Sequence, residues 1–116
     1  FLAYVAAVQT MKPSWSSVEE AFASARYGFG GRPDRVGTLW GVVGVLDIKT
    51  GAPADWHGYQ QALQAILVGP SLSLPPRAVQ RHGLYLKKSG KWKLTEYTNK
   101  RDFDVAHEVI TACVHA

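Results

Sequence analysis

The sequence predicts an α/β layer domain, a central mixed β-sheet flanked by helices in the order α-β-β-β-α-β-β-α. Three observations carry this reading. The run at 39–48 is apolar almost without alternation apart from its glycines, as in a central strand covered on both faces. The stretches 1–11, 56–68 and 102–115 read as helices. Glycine-rich segments at 27–31 and 89–90 carry hairpin signals.

Taken in order, Leu2, Val5, Ala6 and Val8 recur at helical spacing, and Pro13 closes the first helix. A Ser-rich turn at 14–17 leads to a strand over 18–25, and Tyr27-Gly28-Phe29-Gly30-Gly31 forms the second arm of a hairpin. The third strand, 39–48, takes the middle of the sheet. Asp55 caps the next helix, which Gly69-Pro70 ends. "PSLSLPPRA" at 70–78 is a proline-broken loop, and 81–88 pairs with 91–97 around Ser89-Gly90. Asp102 caps a last amphipathic helix lined by Phe103, Ala106, Val109, Ile110 and Cys113.

With 116 residues, 47% hydrophobic and 19% charged, the chain is one domain over 1–116, large enough to hide roughly two-thirds of its unfolded surface. A net charge of +4 permits a polyanionic partner without requiring one. The single cysteine, Cys113, cannot form an internal disulfide and fits a reducing compartment. No apolar run reaches membrane-spanning length and no signal peptide is visible, so the expected location is the cytoplasm. The chain opens on Phe1-Leu2-Ala3-Tyr4-Val5 without an initiator Met, inside a helical pattern, and the expectation is that upstream residues, including a helix, are missing.

Asp34 and Asp47 lie thirteen positions apart, on neighbouring strands whose ends can meet in one crevice. Two adjacent carboxylates need a proton or a cation between them, and oxygen ligands of this kind suit Mg²⁺ or Mn²⁺. Lys49 follows Asp47 by two residues, so a strand puts both on one face. The main-chain carbonyl of Ile48 is a further candidate ligand. A metal that polarises a phosphoryl oxygen and activates water, beside an ammonium that offsets developing charge, is a layout for phosphodiester hydrolysis. Arg32 and Arg35 flank Asp34 and are the phosphate-binding candidates nearest this site.

"RPD" followed by "LDIKTG", within "YGFGGRPDRVGTL...GVLDIKTGAP...GYQQAL", resembles the PD-(D/E)XK nuclease superfamily, in particular its RecB-like, phage-exonuclease branch. The resemblance covers about residues 18–68 by motif and 80–116 by pattern only. It implies a restriction-endonuclease-like core, DNA as the partner and a Mg²⁺- or Mn²⁺-dependent deoxyribonuclease. Asp34 and Asp47 match the metal-binding acids, Lys49 the catalytic lysine and Gln60 the helix glutamine that fixes lysine, water or DNA backbone. Gln61 is the adjacent alternative for that last role. Thr50, in the "DIKTG" motif, goes with the nucleic-acid contacts, and Glu19 in "SVEEAF" stands where related nucleases often carry a glutamate that helps hold the metal. The chain departs from the pattern in having Gln64 where a Tyr is frequent, and in lacking the upstream helix with its His or Glu ligand.

Each of these residues also has a plainer role. A turn Asp, an exposed strand-end ion pair and a solvated glutamine face would account for Asp34, Asp47, Lys49 and Gln60 taken singly; the order of the motifs favours the nuclease. His57, His82, His107 and His115 have no metal-ligand spacing with one another or with Cys113, against a zinc site. Trp15, Trp40, Trp56 and Trp92 suit packing, with Trp56, near the "DIKTG" loop, the one placed to touch a nucleotide. Lys87, Lys88, Lys91 and Lys93 either grip phosphates or keep an edge hairpin soluble. The first functional expectation is a phage-type exonuclease. A different class is an inactive nuclease-fold module that binds DNA or a protein partner in a recombination, packaging or defence complex, as a homo-oligomer or part of a larger nucleoprotein assembly. A site-specific endonuclease ranks third, since no separate sequence-reading element is visible.

Overall fold

The computed structural model describes residues 2–24 and 26–114. Helix α1 (Leu2–Met11) is followed by strands β1 (Ser14–Val18), β2 (Phe22–Ser24), β3 (Phe29–Gly31), β4 (Arg35–Leu39) and β5 (Val42–Thr50). Helix α2 (Asp55–Val68), strands β6 (Gln80–Leu86) and β7 (Trp92–Glu96), and helix α3 (Arg101–Val114) complete the order. The main sheet runs β1-β4-β5-β6-β7, and β2-β3 is a separate hairpin. Only β5 and β6 are parallel, joined through α2, so the sheet is mixed as expected.

The expected strand at 39–48 is β5, and it takes the centre of the sheet. Its alternation sorts two cores. Val45 faces α2 and α3 with Val36, Ala62, Ala65, Ile66 and Ile110; Leu46 faces α1 with Ala7, Met11, Leu39 and Leu84. Each fully buried Val, Leu, Ile or Met side chain among them contributes about 1.5–3 kcal/mol. The sequence reading placed three strands before α2, and the described residues form five. Trp40 and Gly41 both take positive φ, which turns β4 tightly into β5, so the strand expected from residue 39 begins at Val42. The Ser-rich segment read as a turn is β1, an edge strand with an alternating exposed pattern, held by main-chain pairing to β4. The strand read over 18–25 is broken at Glu19, whose φ of 52° ends β1 before β2 begins; Ala25 lies outside the described residues. In the proline-broken segment two short 3-10 turns, Pro70–Leu72 and Pro76–Ala78, lead into β6.

Helix α2 begins at Asp55, whose side chain lies outside the described part, so its expected cap is not among the contacts here. The helix start is closed instead by His57, whose Nδ1 lies 3.4 Å from the Ala54 N–H. Asp102 does not cap α3. Asn99 does, its Oδ1 accepting the Arg101 N–H at 3.0 Å. Asp102 turns inward, 5% exposed, and accepts from Arg81 Nη1 at 2.8 Å. The same Arg81 donates to the carbonyls of Gly58 (3.1 Å) and Asn99 (3.2 Å) and lies 4.8 Å from the Phe103 ring centre. One cation thus ties β6, α2 and α3 together. Gly58 makes room for its carboxylate partner, since a Cβ there would come within 2.7 Å of Asp102 Oδ2. No helix among the described residues is long and apolar enough to cross a membrane.

Candidate active site

The second half of β5 leaves the apolar core and becomes polar on the side that α2 covers. Asp47 and Lys49 share the face of Val45, as the period of a strand requires. Lys49 Nζ stands 3.0 Å from Asp47 Oδ2 and donates to Gln60 Oε1 at 2.8 Å, so the ammonium is held between strand and helix. The Trp56 ring, 56% exposed, lies 5.2 Å from the same nitrogen and shields it on the outer side. Asp47 is buried, with Gln64 Nε2 at 3.5 Å from its Oδ1. Asp47 Oδ2 is close to Lys49 but not aligned for a hydrogen bond, and among the described residues it has no hydrogen-bond partner.

Asp34 lies just before β4, and the antiparallel pairing of β4 with β5 brings it to the same end. Its Oδ2 accepts the Ile48 N–H at 2.9 Å. Burial raises the Asp34 carboxyl above its ordinary value of 3.8. The Ile48 N–H opposes that rise, the neighbouring Asp47 carboxylate adds to it, and Arg35 opposes it again. The two acids thus meet closely enough that a proton or a cation is favoured between them. Between 3.8 and the raised pKa, folded Asp34 holds a proton that the unfolded chain has released, so stability falls as pH rises through that window. Thermal melts in EDTA from acid to neutral pH are expected to show this fall in wild type. Asp34→Asn should remove it and be the more stable protein above the window; a wild-type protein that gains stability there as fast as the variant would refute the assignment.

No family model matches this chain, and no curated protein matches it.

Asp34, Asp47, Lys49 and Gln60, named from the sequence, are brought together. Ile48 joins them through its N–H rather than through a described carbonyl contact. Glu19 is exposed, and its main-chain N–H reaches the Asp34 carbonyl at 2.9 Å, so it meets Asp34 through the backbone and not through its carboxylate. Among the described residues no three His, Cys, Asp or Glu side chains converge. The acid pair nevertheless suits a hard divalent ion of the kind bound by one or two carboxylates plus water and phosphate oxygens, and Asp47 Oδ2, ion-paired with Lys49 but accepting no hydrogen bond among the described residues, is the atom such an ion would share.

Among the residues expected to touch nucleic acid, Thr50, Trp56 and Arg32 are exposed. Arg35 is half-buried and turned back, donating to the Asp34 carbonyl at 2.9 Å and lying 5.8 Å from the Tyr4 ring centre. Gln61 is a correction: it is 1% exposed, so the helix turns it away from solvent and it cannot contact a strand. Adjacent helical residues point about 100° apart, and it is Gln60 that faces Lys49.

Sequence reasoning missed a second polar layer. Gln64, counted there as a departure, reaches Asp47, one turn after Gln60. His57 Nδ1 pairs with the Tyr85 hydroxyl at 2.7 Å, and that hydroxyl pairs in turn with Tyr97. A Cβ on Gly83 would come within 2.8 Å of the Tyr85 ring, so the glycine opposite Asp47 in β6 gives the tyrosine its space. Burial lowers the His57 pKa, and the charge of Lys49 lowers it further against the pull of Asp47, leaving the ring neutral as an acceptor. The available signal was the stripe 57, 60, 61, 64 at helical spacing.

Proposed function

We propose that this chain is a metal-dependent deoxyribonuclease, an exonuclease of the RecB-like, phage type that its motifs resemble. The observation that supports this most is Lys49, held 3.0 Å from Asp47 and 2.8 Å from Gln60 beside Asp34. Those are the four residues for which the resemblance implies a joint role. A divalent ion on Asp34 and Asp47 would polarise the scissile phosphate and lower the pKa of a bound water.

The chain's own groups do the rest. Asp47 and Gln60 fix the Lys49 ammonium, so its charge is in place where negative charge grows on the phosphate, without reorganisation at the moment of reaction. Gln64 steadies Asp47 from the helix, and the Ile48 N–H steadies Asp34 from the strand. Trp56 limits the access of water to the ammonium.

The test is DNA hydrolysis by the purified protein in Mg²⁺ or Mn²⁺ and its loss in EDTA; intact DNA in both would overturn the proposal. A second reading, a nuclease-fold module that binds DNA or a protein without cutting, draws on the Lys49–Asp47 ion pair, which neutralises the carboxylate with no metal. Calorimetry with Mn²⁺ separates the two, since only the enzyme is expected to bind the ion through Asp34 and Asp47.

A further inference from the structure

At the carboxyl ends of the parallel strands β5 and β6 lies an open pocket of about 640 Å³ that the acids, Lys49 and Gln60 do not line. Open α/β sheets bind ligands at that edge, beyond the last residues of parallel strands. Its walls are largely apolar, formed by Ala52, Pro53 and Leu86. Lys87, Lys88 and Lys93 from the β6–β7 hairpin supply the charge, and all three are exposed. The buried Tyr85 ring forms the back wall, and Tyr85 is the cross-strand partner of Lys49. Thr50 and Gly51, the residues after Lys49, line it as well, so the pocket opens within a residue or two of the candidate catalytic lysine.

An apolar hollow with a cationic rim matches a ligand that is anionic along one edge and flat and apolar along another. A stacked duplex offers only phosphates to such a surface, because its base faces are already covered. An unpaired nucleotide offers both. We infer that the pocket receives the unpaired end of a DNA strand, with phosphates on Lys87, Lys88 and Lys93 and a base against Pro53 and Leu86. This rests on the nuclease reading for the identity of the strand, and it specifies the substrate as one that enters the site single-stranded.

The experiment measures binding alone, in EDTA, by fluorescence anisotropy of a short single-stranded oligonucleotide and of a blunt DNA hairpin across a salt series. The triple variant Lys87→Ala, Lys88→Ala, Lys93→Ala is expected to bind the single strand about tenfold more weakly, with its log–log salt slope reduced by about 2, as three lost phosphate contacts require. Hairpin binding should change less than about threefold in the same series. Lys91→Ala, on the same hairpin outside the pocket, should leave the single-strand slope nearly intact. Equal losses for the single strand and the hairpin, or a Lys91→Ala loss matching one pocket lysine, would overturn the inference, since general charge would then explain the effect. Because cleavage is not read, failure here leaves the metal-dependent activity to its own assay. Conversely, an inactive protein that still shows the lysine-dependent single-strand preference would keep the pocket and lose the enzyme.

Discussion

Asp47→Asn is expected to lower Mg²⁺-dependent DNA cleavage by about a hundredfold or more while the protein stays folded. Asparagine keeps the size of the side chain and an oxygen for Gln64 Nε2, which stands 3.5 Å from Asp47 Oδ1. Lys49 keeps its 2.8 Å bond to Gln60. The loss of the Lys49–Asp47 attraction is offset by the removal of a buried carboxylate next to Asp34, whose own proton affinity Asp47 raises. Stability should therefore move little, and the charge needed for a cation goes. Wild type is expected to gain thermal stability on adding Mn²⁺, in proportion to the occupancy of the site, and the variant should gain none. Cleavage within a few-fold of wild type, or an undiminished Mn²⁺ shift in the variant, would count decisively against Asp47 as a metal ligand. Lys49→Ala is the less clean change, because it leaves a buried carboxylate without its counter-ion.

The centre of this site was legible for a physical reason. A strand covered on both faces must be apolar, so Asp47 and Lys49 at the end of the longest apolar run mark where that covering gives way to a crevice. The period of two then fixes them on one face without further information. The helix residue that meets them was less determined: Gln60 and Gln61 sit about 100° apart on α2, and only the placement of the helix over the sheet decides that one bonds Lys49 and the other is buried. The edge of the sheet was misread because β1 is held by main-chain pairing, and Ser14, Ser16 and Ser17 carry no hydrophobic signal to announce it. The Tyr97–Tyr85–His57 chain joins residues 40 positions apart through the β6–β7 register and a glycine, neither of which local pattern encodes. Asp102 likewise reads as a helix cap in sequence, since its true partner Arg81 lies 21 residues upstream.

That partnership carries the largest expected effect on stability. Arg81→Ala should destabilise the protein by about 3–5 kcal/mol, because Asp102 would be left as a buried charge with no counter-ion. The Gly58 carbonyl would lose its side-chain donor at the same stroke. For a domain of this size 1 kcal/mol corresponds to about 4 °C, so the melting temperature should fall by about 12–20 °C. Against a total stability of about 5–15 kcal/mol the loss is severe. The attraction itself is not the source of the effect, and a second variant separates the two. Replacing both partners with apolar residues of similar size, Arg81→Met with Asp102→Leu, removes the ion pair and the uncompensated charge together, and should restore most of the lost stability. Gly58 decides how completely, since its missing Cβ leaves room for a carboxylate and a leucine is bulkier. If the double variant melts as low as Arg81→Ala, the hydrogen bonds from Arg81 to the Gly58 and Asn99 carbonyls, at 3.1 and 3.2 Å, are what hold α2 and α3 to β6. If it recovers, packing around Phe103 suffices, and the buried cation serves chiefly to set how α2, and with it Gln60, lies over Lys49.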